Sequence, residues 1–124
     1  MALQLNEEII ELCKEHEITL STCESVTGGM IASYLTKVSG ASKVYKGGFV
    51  VYSNKAKEKQ VNVKAETLKK FGAISKECAI EMAFNTCGIM KSTISIAITG
   101  NAGPNPDENK EVGKAYLGIC LVEK

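Results

Sequence analysis

Arginine is absent from this 124-residue chain: all fifteen cations are lysines, set against 14 carboxylates for a formal net charge of +1. Without guanidinium there is no planar fork to grip a phosphate, a carboxylate or a guanine through two parallel hydrogen bonds. The near-neutral charge supplies no basic surface in its place, so direct nucleic-acid contact is not expected. Histidine and aspartate are almost missing as well, with His16 and Asp107 the single examples of each. His16 falls in the last turn of an early predicted helix, where a cation complements the helix dipole, and Asp107 falls in a late loop. A Ser-His-Asp triad and a histidine-rich metal site are both argued against, and no metal or other cofactor is expected. A hydrolytic base in this chain has to be a lysine, a glutamate or a tyrosine.

Long apolar runs are also lacking. None approaches the ~20 residues of a membrane span. The N-terminal stretch is acidic where a signal peptide would be basic and then apolar. Five widely spaced cysteines (Cys13, Cys23, Cys78, Cys87 and Cys120) contain no C-x-x-C pair and are odd in number. They suggest buried thiols in a reducing compartment rather than a disulfide framework or a zinc site. With 44% hydrophobic residues, the expectation is one compact domain over residues 1–124, soluble and cytoplasmic, with no membrane association.

What is present is an alternation of helical and strand patterns. Residues 6–16 predict an amphipathic helix with Asn6 as its cap and Ile9, Leu12 and Cys13 inward. Residues 18–23 are β-prone and break into Glu24-Ser25-Val26-Thr27-Gly28-Gly29 before a second helical pattern through Met30, Ile31, Tyr34, Leu35 and Val38, closed by Gly40. Gly47-Gly48 leads into a strand over residues 49–52, parallel to the first. Ser53 or Asn54 then caps a helix that carries Lys57 one turn in. Lys64 to Phe71 predicts a short helix ended by Gly72. Ser75 caps a longer one to about Met90 with Ala79, Met82, Ala83 and Thr86 inward. Residues 93–99 and 112–122 predict two more strands, paired antiparallel because the connection between them carries no helical pattern. The expected fold is α/β, a three-layer α/β/α sandwich with a mixed, mostly parallel sheet.

In such sheets ligands bind beyond the carboxyl ends of the strands. Three of those ends carry hydroxyls and glycines: Ser25 to Gly29, Tyr52-Ser53-Asn54 with Lys57, and Thr99-Gly100 running on to Pro104. Glycine lets a ligand approach the backbone, and unpaired N–H groups at a helix start receive a phosphate or an oxyanion. Serine needs a base to become a nucleophile, and lysine serves where histidine is missing, provided that it is partly neutral. Lys57, near the positive end of its own helix and between Lys55 and Lys59, fits that need. Tyr52 is placed to relay the proton or hold the leaving group, and Glu24 is a rival base or a hydrogen-bonding scaffold.

Taken in order, Glu24-Ser25-x-Thr27-Gly28-Gly29, Gly40-x-Ser42, Lys46-Gly47-Gly48, Val51-Tyr52-Ser53-Asn54-x-x-Lys57, Phe71-Gly72-Ala73-Ile74-Ser75, Thr99-Gly100-x-Ala102-Gly103-Pro104 and Val112-Gly113 closely resemble the CinA C-terminal domain family. The resemblance runs from about residue 5 to the end. It implies a metal-independent amidase that deamidates nicotinamide mononucleotide, or a related pyridine nucleotide, to the nicotinate form and ammonia. Ser25 matches the family's nucleophile, and Tyr52 and Lys57 match its acid-base pair. Thr27, Gly28, Gly29, Ser42, Gly48, Asn54, Thr99 and Gly100 are the expected substrate-binding residues.

Three departures from the family pattern stand out. Val26 replaces the usual cysteine. Residues 105–111 replace a glycine-rich approach to the last strand, which would alter phosphate or ribose contacts. The chain also stops where family members continue into a further strand and helix, so an open sheet edge and a homo-oligomer are expected. The competing functions are a catalytically inactive nucleotide-binding or regulatory module and, from the family's associations, a protein partner in competence or DNA damage.

Overall fold

The computed structural model describes residues 3–104 and 107–123. In chain order the elements are α1 (Leu5–Glu15), β1 (Leu20–Glu24), α2 (Met30–Thr36), a 3-10 turn (Ala41–Lys43), β2 (Tyr45–Val50), α3 (Asn54–Val61), α4 (Ala65–Phe71), α5 (Lys76–Met90), β3 (Ile94–Gly100) and β4 (Ala115–Leu121). The sheet order is β2-β1-β3-β4. β1 runs parallel to both β2 and β3, and β4 is antiparallel to β3, giving the mixed, mostly parallel α/β sheet.

Alternation along β1 separates two apolar layers, because successive side chains point to opposite faces. Leu20 joins Ile10, Cys13, Leu35, Ala41 and Val44 under α1 and α2. Cys23 joins Val61, Val63, Cys78, Met82, Ala83 and Ala97 under α3 and α5. Each fully buried aliphatic side chain in these layers contributes roughly 1.5–3 kcal/mol. Gly118 permits the close contact of β4 with α5, since a Cβ there would stand 2.8 Å from the Ala79 carbonyl carbon.

Helix ends follow local chemistry. Ser53 Oγ accepts from Ala56 N–H and Ser75 Oγ from Cys78 N–H, each at 3.1 Å, so both serines cap their helices. Gly72 ends α4 at φ +83. Two local expectations are corrected. The cap of α1 is Gln4, while Asn6 is buried and donates through Nδ2 to the Tyr34 carbonyl at 2.8 Å. The inward stripe is therefore Asn6, Ile10 and Cys13, at i, i+4 and i+7, and Leu12 is exposed. β2 begins earlier than its β-branched residues suggest, because Gly48 must lie flat against Thr22, whose backbone and hydroxyl oxygens a Cβ would strike.

β4 is a sheet edge, and its Leu117, Ile119 and Leu121 are exposed opposite Ile98, Ile96 and Ile94. Among the described residues no helix is long and apolar enough to cross a membrane.

Candidate active site

The strand order places a switch point at β1: the chain leaves it for β2 on one side, while β3 lies on the other. Loops that follow parallel strands in this arrangement diverge and leave a crevice at the carboxyl edge. A cavity of about 540 Å³ occupies that crevice. Ser25, Tyr52, Asn54, Lys57, Thr99 and Gly100 all line it, together with Ala73, Ile74, Asn101, Asp107 and Glu108.

Ser25 directly follows β1 and is held by its N–H, which donates to the Ile98 carbonyl at 3.0 Å. Its position alternates with Glu24, so its side chain falls on the α3 side of the sheet. There α3 presents Lys57 one turn from its Ser53 cap, with only 3% of the residue exposed. Lys57 Nζ donates to Ser25 Oγ at 3.0 Å and to the Val51 carbonyl at 3.0 Å. Burial pushes the Lys57 ammonium below its ordinary value of 10.5, and the Glu108 carboxylate opposes the shift. A neutral amine here can keep donating to Val51 while its lone pair accepts the Ser25 hydroxyl proton. The lowering arises from desolvation first, and the flanking Lys55 and Lys59 are exposed residues outside the cavity lining.

Two backbone donors stand beside the serine. Val26 N–H has no acceptor among the described residues. Val122 N–H bonds the Thr93 carbonyl and Asn101 N–H the Lys114 carbonyl, so odd-numbered residues of β3 face β4 and even-numbered ones face β1. Gly100 N–H is thus directed toward the β1 side of the strand, where Ser25 lies.

The glycine turn expected to floor the site serves a different contact. Glu24, wholly buried, accepts from Thr27 Oγ1 at 2.6 Å and from the N–H groups of Ile31 and Ala32 at 2.9 Å. A carboxylate of the chain itself therefore caps α2, and Thr27, Gly28 and Gly29 do not line the cavity. Glu24 is a scaffold residue on the opposite face of β1 from Lys57. Ser42 lies in the 3-10 turn, and Gly48 packs on Thr22; both are outside the cavity lining. Tyr52 follows the end of β2 and lines the rim with 73% of the residue exposed; among the described residues no hydrogen bond ties its hydroxyl to Ser25 or Lys57.

Sequence reasoning did not single out Ala73, Ile74 and Asn101 as lining residues, while Asp107 and Glu108 fall in the 105–111 segment whose altered substrate contacts it expected. The Gly72-Ala73-Ile74-Ser75 block was the available signal, since a helix start with exposed amides follows it. Of the altered 105–111 segment, residues 105 and 106 lie outside the described residues.

The model of the CinA C-terminal domain matches residues 2–124. A Bacillus subtilis (strain 168) protein named as competence-damage inducible is 47% identical over 115 residues, covering 93% of this chain and 28% of that protein. A CinA-like protein of Kosmotoga olearia is 47% identical over 118 residues, 94% of this chain and 29% of its own length. The chain therefore spans under a third of the length of these curated relatives. Among solved structures, the competence/damage inducible protein CihA from Agrobacterium tumefaciens superposes with a TM-score of 0.91 at 37% identity, over 98% of this chain and 78% of that one. An Escherichia coli CinA superfamily protein gives 0.85 at 27% identity, over 100% and 83%.

Proposed function

We propose, from the premise that this chain belongs to the CinA C-terminal domain family, that it is an amidohydrolase that cleaves a primary carboxamide through an acyl-enzyme on Ser25. The reference substrate is nicotinamide mononucleotide, and the class is pyridine nucleotides and their close relatives. The observation that carries this reading is the 3.0 Å contact between Lys57 Nζ and Ser25 Oγ at the floor of a cavity.

In the reaction, neutral Lys57 takes the Ser25 proton as Oγ bonds to the carboxamide carbon. The C=O electron pair moves onto oxygen, where Val26 and Gly100 N–H groups stabilise it. The tetrahedral adduct collapses, the C–N bond breaks, and the ammonium of Lys57 returns its proton to the departing nitrogen, releasing ammonia. Water then attacks the ester carbonyl, giving one proton to Lys57, which passes it to Ser25 as the carboxylate leaves. Tyr52 supplies an aromatic wall at the rim for a planar pyridine ring. Burial of the amine serves this chemistry, since it makes Lys57 a base.

The test is ammonia release from nicotinamide mononucleotide by the wild type and by Ser25→Ala. Release that survives the substitution rejects Ser25 as nucleophile. A wild type that binds the nucleotide without releasing ammonia supports a binding module instead.

A further inference from the structure

Gly100, whose N–H the amidase reading sets on the developing oxyanion, stands between two anchored neighbours. On one side Thr99 Oγ1 donates to the Ala73 carbonyl at 2.8 Å. On the other side is Asn101, the first residue beyond β3, with only 8% of it exposed. Its backbone joins the end of β3 to the approach of β4: the N–H donates to the Lys114 carbonyl at 2.9 Å, and the carbonyl accepts from Gly113 N–H at 2.6 Å. Its side chain reaches into the connecting loop. Oδ1 accepts from Gly103 N–H at 2.9 Å and Nδ2 donates to the Lys110 carbonyl at 3.4 Å, so one amide ties the outgoing limb of the β3–β4 loop to the returning limb. A backbone N–H only donates and a carbonyl only accepts. The pair therefore needs an acceptor and a donor on one short side chain, which asparagine carries and aspartate or leucine of similar shape does not.

These bonds close a ring along one wall of the cavity. From Thr99 it passes to Ala73, whose N–H donates to Glu108 Oε2 at 2.9 Å, then along the chain to Lys110, and back through Asn101 to Gly100. Thr99, Gly100, Asn101, Ala73 and Glu108 all line the cavity, so the ring is part of the site. Ser25 and Lys57 are held separately, through the Ile98 and Val51 carbonyls. Gly100 has no side chain to hold it in place, and a Cβ there would stand 2.8 Å from the Lys114 carbonyl oxygen. The aim of its N–H thus depends on its neighbours. An oxyanion donor is effective when it is already aimed, because no reorganisation is then needed as the charge develops.

Building on the amidase reading, we propose that Asn101 is a positioning residue: its side-chain amide clamps the neck of the β3–β4 loop and so holds Gly100 N–H on the oxyanion of the tetrahedral adduct. It acts on the transition state through Gly100, and its loss lowers kcat while leaving substrate affinity in place.

The experiment compares the full wild-type chain with Asn101→Leu, which removes both hydrogen-bonding groups, and Asn101→Asp, which keeps the acceptor for Gly103 and loses the donor to Lys110. Ammonia release from nicotinamide mononucleotide gives kcat and KM, calorimetry in a Ser25→Ala background gives nucleotide affinity, and thermal unfolding identifies the folded variants. Pyridine-3-boronic acid is the second probe. Ser25 Oγ bonds to its boron, the oxygen electron pair fills the empty boron orbital, Lys57 takes the serine proton, and the tetrahedral anion carries an oxygen at the oxyanion position. Asn101→Leu should lower kcat about 100-fold, with nucleotide affinity changed less than about threefold and boronate affinity reduced at least about tenfold. Asn101→Asp should fall between Asn101→Leu and the wild type, and it carries the test by itself if Asn101→Leu does not fold. A folded variant that keeps the wild-type kcat, or one that loses nucleotide affinity as far as it loses kcat, overturns the proposal. If the wild type releases no ammonia, but binds the boronate through Ser25 and loses that binding on Asn101 substitution, the amidase reading is retired and the role of Asn101 stands. Ammonia release with a kcat indifferent to Asn101 does the reverse. A wild type that neither releases ammonia nor binds the boronate overturns both.

Discussion

Lys57 Nζ and Ser25 Oγ meet at 3.0 Å, and the same nitrogen donates to the carbonyl of Val51, the first residue beyond β2. The Val51 carbonyl orients the amine, and α3 carries it over the end of β1 from the neighbouring strand. This arrangement uses two parallel strands and one helix cap.

Removing either partner should separate chemistry from binding. Ser25→Ala is expected to abolish ammonia release. Lys57→Met should lower kcat by at least about 100-fold, the usual contribution of a positioned base, with nucleotide affinity changed less than about threefold. Ammonia assays paired with calorimetry check this. A Lys57→Met enzyme that keeps its kcat would move the base elsewhere.

The pH profile should carry the signature of a buried amine. Because burial lowers Lys57 from 10.5 and the neutral form is the base, kcat/KM should rise with pH along a limb lying below 10.5. Burial raises the Cys23 and Cys78 thiols to about 11 and about 12, so they stay protonated across that limb. Glu108 opposes the lowering of Lys57, so Glu108→Gln should carry the limb to lower pH. A limb that moves up or stays fixed contradicts the electrostatic coupling of these two residues.

Glu24→Gln should destabilise the fold without touching the reacting atoms. The amide replaces one acceptor oxygen with a donor facing the α2 amides, leaving at least one buried N–H unsatisfied. The expected cost is about 1–3 kcal/mol, read from urea unfolding with an unchanged slope. Loss of stability below about 0.5 kcal/mol would mean that α2 does not depend on this cap.

Tyr52 offers a cleaner division between ring and hydroxyl. With no hydrogen bond from its hydroxyl among the described residues, Tyr52→Phe should leave kcat within about threefold, while Tyr52→Ala should raise KM about tenfold through loss of the stacking surface. A kcat that collapses in Tyr52→Phe would instead make the phenol an acid-base group, as the family resemblance implies.

How far the sequence was legible depended on the range of the interactions involved. Ser53, Gly72 and Ser75 could be read as caps because a cap is a contact between residues three or four apart. The parallel β1–β2 pair and the antiparallel β3–β4 pair could be read from the helical or non-helical character of what lies between the strands, whereas the placing of β3 beside β1 came from the tertiary structure. Asn6 was misplaced as a cap because its partner, the Tyr34 carbonyl, lies 28 residues away. The turn at Thr27 to Gly29 had the composition of a free anion site, but only the alternation along β1 shows Glu24 folding back to fill it.

Residue types and their order determined the fold class, the starts of α3 and α5 and the restriction of candidate bases to lysine, glutamate and tyrosine, because those follow from local propensity and from composition. The tertiary structure alone decided which groups share the cavity. It set Lys57 against Ser25, left Ser42 and Gly48 outside, and seated Glu108 on the Ala73 and Ile74 amides. The physical reason is that charge, desolvation and hydrogen-bond partners are properties of position in three dimensions, and 35 residues of chain separate Glu108 from the amide it holds at Ala73.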